Sequence, residues 1–238
     1  MTRAAWVTRV VRPAIVVGGI IPLGVITWRL FSGEGDYANP AEALEHATGF
    51  TALWFLLASL AATPLRRLSG LAALTQLRKP LGLWAFVYAL VHLGCYLVFD
   101  QSLLWGEIGH DILERPYITV GFAAFVILLA LAATSPVRIM KRLGGRRWQA
   151  LHRLVYVAAA LGVLHFLWLV KADLREPLVY TAILALLLVL RVPVVSARLG
   201  SWRGARRAAR SRVRQPPASN SQAPARPEGT RAREPAAS

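Results

Sequence analysis

Acidic side chains are few in this sequence, 12 Asp and Glu against 28 Lys and Arg, and cysteine occurs once, at Cys95. One cysteine excludes an intramolecular disulfide framework and a cysteine-based metal cluster, and its place inside an apolar run makes it a packing residue. There is no Walker loop, zinc-ligand motif, hydrolase triad or dinucleotide fingerprint, which sets aside the commonest soluble enzyme classes. The shortage of acid leaves a formal charge of +16. Nucleic acid is not the implied partner, because Lys and Arg fall between apolar runs or beyond Gly200 and not on amphipathic faces with interleaved aromatics.

What the chain does have is hydrocarbon: 55% of its 238 residues are hydrophobic and its mean hydropathy is +0.46. That combination with high charge points to lipid as the solvent. A helix needs roughly 20 apolar residues to cross the bilayer core. Six stretches approach that length: Val10–Phe31, Ala47–Leu65, Pro80–Phe99, Tyr117–Thr134, Trp148–Val170 and Leu178–Ala197. Barrel strands would alternate apolar and polar residues, which Val126–Ala133 does not do. The expectation is an all-α, polytopic six-transmembrane-helix bundle.

Loop charge orients it. The first loop carries Glu34, Asp36, Glu42 and Glu45, and the second Arg66, Arg67, Arg78 and Lys79. The third returns to acid with Asp100, Glu107, Asp111 and Glu114 against Arg115, and the fourth to base with Arg138, Lys141, Arg142, Arg146 and Arg147. The positive-inside rule then gives an N-in/C-in topology. Arg3, Arg9 and Arg12 precede the apolar run Ile15 to Ile26, but no small-residue cleavage site follows, so this reads as an uncleaved first span. Three regions result: a cytoplasmic N-terminus (1–9), a six-helix domain (10–197) and an Arg/Pro/Ala-rich tail (198–238). The tail has too little apolar surface to offset ordering and is expected to be a disordered cytoplasmic segment whose Arg residues can meet lipid headgroups.

Ionisable residues inside spans mark function. His92 is in the third span, and His152 and His165 are in the fifth. His92 lies about 12 Å and His165 roughly 9 Å from the same outer surface at 1.5 Å per residue. Two imidazoles at one depth on different helices fit the axial ligands of a single b-type haem. His152 lies about 20 Å deeper, where the third span offers Lys79 and no imidazole. It can take a non-histidine partner, exchange with His165, or face a flavin or quinone, with Arg153 and Tyr156 nearby to meet propionate or phosphate. His46 is at the outer mouth of the second span, and His110 is in the outer acidic loop.

The runs Gly82-Leu-Trp-Ala-Phe-Val-Tyr-Ala-Leu-Val-His92, Arg115-Pro-Tyr-Ile-Thr119, Trp148-Gln-Ala-Leu-His152-Arg-Leu-Val-Tyr156 and His165-Phe-Leu-Trp168, with His46-Ala-Thr-Gly49 and Thr63-Pro-Leu-Arg66, resemble the MsrQ family. This is the haem-binding membrane subunit of a periplasmic protein-methionine-sulfoxide reductase system, within the ferric-reductase-like transmembrane group. The resemblance spans about Val10 to Pro193. It implies transfer of electrons from the quinone pool, or from a cytosolic flavin reductase, through haem b to a periplasmic molybdopterin-containing catalytic subunit that reduces oxidised methionines. It also implies His92, His152 and His165 as haem-ligand candidates, and FMN as a further cofactor. Ferric reductases place two histidines on each of two helices, whereas here the third span has one, which leaves a second bis-histidine haem without its full ligand set.

A self-sufficient transmembrane reductase needs a soluble flavin and nicotinamide domain of more than about a hundred residues. The short polar tail does not supply one, so electrons are expected to come from and go to separate partners. The alternative is a ferric or quinone reductase acting on a small molecule.

Overall fold

The computed structural model describes residues 2–32, 39–170 and 173–192, and among these every regular element is helical. We number them α1 (Arg3–Leu30), α2 (Pro40–Ser69), α3 (Ala72–Asp100), α4 (Trp105–Glu114), α5 (Pro116–Ala133), α6 (Val137–Leu143), α7 (Gly145–Leu169) and α8 (Arg175–Val189). The first five expected spans correspond to α1, α2, α3, α5 and α7, each long and apolar enough to cross a bilayer. The chain is an all-α, polytopic membrane protein. The sixth expected span is represented by the 15 residues of α8, and its part beyond residue 192 lies outside the described residues, as do the 198–238 tail and the loop acids Glu34 and Asp36.

Several boundaries differ from the sequence reading for identifiable reasons. Helix α2 begins at Pro40, seven residues before the apolar run, because the Asn39 side chain accepts from the Ala41 and Glu42 amides at 3.1 and 3.4 Å and Pro40 is pre-shaped for the first turn. Glu42 and Glu45 therefore sit on a helix and not in a loop. The same helix runs through Pro64 and past the expected end at Leu65, and stops only at Gly70, whose left-handed φ of 77° lets its amide bond back to Arg66. The third, acidic loop contains α4, reached through consecutive left-handed residues Ser102 and Leu103.

Helix α2 is the centre of the bundle. Its Leu53, Leu56, Leu57 and Leu60 pack against Ala85 of α3, Leu128 of α5, Ala158, Ala159 and Val163 of α7, and Leu184 and Leu187 of α8. Ala85, Ala158 and Ala159 are fully buried, the small side chains that let membrane helices approach closely where lipid supplies no hydrophobic drive. Large residues such as Val17, Ile21 and Leu178 face outward.

Helix α1 lies at the periphery and is interrupted near Gly19. The Tyr88 hydroxyl of α3 is inserted there, donating to the Gly19 carbonyl at 2.8 Å and accepting from the Leu23 amide at 2.9 Å. Those two groups would otherwise bond each other, so the side chain replaces one rung of the helical ladder and ties α1 to α3.

Candidate haem site

His92 and His165 project toward one another from α3 and α7 with ring centroids 6.1 Å apart and planes inclined by 76°. Each ring is held the same way. His92 Nδ1 lies 2.9 Å from the Glu45 carbonyl, 47 residues upstream on α2, and His165 Nδ1 lies 2.7 Å from the Tyr117 carbonyl, 48 residues upstream on α5. A carbonyl only accepts, so both Nδ1 atoms carry hydrogen and both Nε2 lone pairs are left for a metal.

One turn beyond each carbonyl stands a glycine. A Cβ at Gly49 would lie 3.1 Å from His92 Nδ1 and Cε1, and one at Gly121 would lie 2.7 Å from His165 Nδ1. The imidazoles rest where those side chains would be. Carbonyl and glycine four residues apart thus form a seat, built once by α2 for His92 and once by α5 for His165. Gly49 falls within the His46-Ala-Thr-Gly49 run, yet sequence alone assigns neither glycine a role. The recoverable signal was the near-equal spacing from each seat to its histidine.

The pair opens on a cavity of about 530 Å³, within the size range of cofactor sites. Its walls include Leu53, Ala89, Phe125 and Leu128, and its rim includes His46, Glu45, Asp100 and Arg115. Haem iron fits this arrangement. Two metal–imidazole bonds of about 2 Å in line would separate ring centroids by roughly 6.3 Å, close to the spacing present.

Helix α4 closes the rim. Its buried Asp111 accepts from the Tyr96 hydroxyl at 2.7 Å and from Gln101 at 3.0 Å, and pairs with Arg115 at 2.7 Å. Trp105, Ile108 and Ile112 of the same segment line the cavity. The hydrogen bond to Tyr117, then the Asp111 carboxylate, push the Arg115 guanidinium further above its ordinary range, so a fixed cation stands at the rim.

His152 stands apart from the pair. Its Nε2 is 3.2 Å from Thr134 Oγ1 and its ring stacks on Trp148 with centroids 4.0 Å apart. The Trp148 indole in turn donates to the Thr134 carbonyl at 3.0 Å, closing the end of α5. His46 lines the cavity, whereas His110 is at the surface, 3.0 Å from Glu114. Among the described residues no group of three or more His, Cys, Asp or Glu is placed to hold a bare metal ion.

Residues 47–163 match the family described as ferric reductase like transmembrane component, a region that contains His92 and His152 and stops just short of His165. Three curated proteins, each called protein-methionine-sulfoxide reductase heme-binding subunit MsrQ, are similar over most of their length. The one from Xanthomonas euvesicatoria is 50% identical over 181 residues, 75% of this chain and 83% of that protein. That from Rhodospirillum rubrum is 50% identical over 191 residues, 80% and 91% respectively. That from Herminiimonas arsenicoxydans is 45% identical over 184 residues, 76% and 84%.

Proposed function

This chain belongs to the MsrQ family of heme-binding subunits, and from that premise we propose that it is the membrane electron-transfer subunit of a methionine-sulfoxide reductase, holding one haem b between His92 and His165. The observation that carries the reading is the facing pair of imidazoles, 6.1 Å apart, each with Nδ1 committed to a carbonyl. Bound there, haem supplies one-electron chemistry at a fixed position within the bundle.

The protein's own residues set the conditions for that chemistry. The Glu45 and Tyr117 carbonyls orient the rings and raise the basicity of Nε2. Leu53, Leu128 and Phe125 exclude water from the cavity, and Arg115 at the rim is a cation for carboxylate groups of a ligand. His152 is the candidate for a second cofactor contact, to haem or FMN, at the opposite end of α7.

In this reading the basic loops face the cytoplasm of a bacterial inner membrane. Electrons enter from the quinone pool or a cytosolic flavin reductase and leave, through the cavity end, to a periplasmic molybdopterin-containing catalytic subunit that repairs oxidised proteins. The test is spectral and functional. Purified protein should show a reducible b-type spectrum, His92→Ala and His165→Ala should each lose it, and methionine-sulfoxide turnover should require the catalytic subunit. Unchanged haem content in both variants would overturn the proposal.

A further inference from the structure

Every acidic residue among those described lies toward the end of the bundle that holds the histidine cavity: Glu42, Glu45, Asp100, the α4 acids, Asp173 and Glu176. Along α2, Thr63 is roughly 27 Å beyond Glu45 at 1.5 Å per residue. There Arg66, Arg67, Arg78 and Arg191 gather with no carboxylate among the described residues. Topology accounts for the charge but not for the partial burial of Arg66, Arg67 and Arg191.

Pro64 has no N–H, so the Leu60 carbonyl loses its helical donor, and Arg191 Nη2 donates to it instead. Arg191 Nη1 donates to the Tyr156 hydroxyl, and its guanidinium carbon stands 4.9 Å from the centre of that ring. Arg67 Nη1 donates to the Leu190 carbonyl at 3.4 Å. Leu60, Thr63 and Arg67 share one face of α2, so the end of α8 is fastened on both sides of Thr63. Around this point three buried polar atoms have no partner among the described residues: Thr63 Oγ1, Arg66 Nε and Arg191 Nε. Arg78 and Arg67 are near enough to repel Arg191, and Arg78 also acts on His152.

A half-buried guanidinium bonded only to neutral acceptors, with like charges beside it, is costly unless an anion shares its site. Three unmet donors at one end of the bundle, two on α2 and one just past α8, call for an anion with oxygens in several directions, which phosphate has and a planar carboxylate lacks. Basic pockets between membrane helices commonly take such headgroups. We propose that Arg66, Arg191 and Thr63, with Arg67 and Arg78 beside them, bind the phosphate group of a ligand at the end of the bundle opposite the haem site. Two sources share that chemistry, an anionic phospholipid headgroup and a mononucleotide cofactor.

The experiment uses the full chain. After exhaustive detergent exchange, retained phosphate-bearing molecules are identified by native mass spectrometry, and unfolding midpoints are compared in phosphatidylcholine nanodiscs, in the same discs with phosphatidylglycerol, and in phosphatidylcholine with added FMN. About one retained molecule, and a rise in midpoint with phosphatidylglycerol or with FMN, is expected, and the arm that responds names the source. Arg66→Gln and Arg191→Gln should weaken retention about tenfold, Thr63→Val by less, and Arg138→Gln, exposed on α6, not at all. Arg66→Gln and Thr63→Val remove no hydrogen bond described here, so they stand if Arg191→Gln fails to fold. His92→Ala should lose haem yet keep the phosphate ligand, which separates this proposal from the haem reading. Absence of any response in both arms, or wild-type retention in Arg66→Gln, overturns it.

Discussion

Gly121 and His165 are in closer contact than any side chain at position 121 would permit, since a Cβ there would lie 2.7 Å from Nδ1 and 2.9 Å from Cε1 of the imidazole. The corresponding pair, Gly49 and His92, is looser at 3.1 Å. The two seats therefore differ in tolerance although they share a design.

Gly121→Ala should displace the His165 ring and break its bond to the Tyr117 carbonyl. Overpacking of this kind costs about 1–3 kcal/mol, roughly a five- to 150-fold loss of haem affinity. Gly49→Ala should lose less, because a few tenths of an ångström suffice there. Haem titration of the two variants decides the order, and equal losses would count against the seat.

His152→Ala should leave the His92–His165 haem in place, because His152 contacts Thr134 and Trp148 and not the cavity. The haem-to-protein ratio measures this directly. A fall to half would reveal a second haem at His152, and a complete loss would contradict the pairing.

Asp111→Ala removes the carboxylate whose Oδ2 accepts from the buried Tyr96 hydroxyl and Gln101 and whose Oδ1 pairs with Arg115. Leaving buried donors unmet costs about 1–3 kcal/mol, and the Arg115 pair, more than half exposed on the arginine side, adds little. Loosening of α4 should appear as faster haem loss and a lower unfolding midpoint, and Tyr96→Phe should give part of the effect.

Tyr88→Phe frees the Gly19 carbonyl and Leu23 amide from the inserted hydroxyl. The expected cost is about 1 kcal/mol, read as easier proteolysis near the α1 interruption with haem content unchanged. Loss of haem would show that α1 supports the site more directly than its packing indicates.

Hydropathy and loop charge were enough to read the helical class and the first five spans, because a bilayer leaves a chain little choice but helices of about 20 residues. Helical rise alone put His92 and His165 at one depth. The ends of helices were less legible: Asn39 extends α2 into the acidic segment, and Pro64 does not stop it because Arg191, distant in sequence, supplies the missing donor. Facing of the rings, choice of tautomer and the role of Gly49 and Gly121 depend on carbonyls of neighbouring helices, which no single segment encodes. The same holds for the buried arginines. Sequence determined that this chain lives in a membrane and carries paired imidazoles, since both follow from local composition and spacing. Only the packing of α2 against α3, and of α5 against α7, decided that the imidazoles meet, because that depends on which helices touch and on which small residues let them.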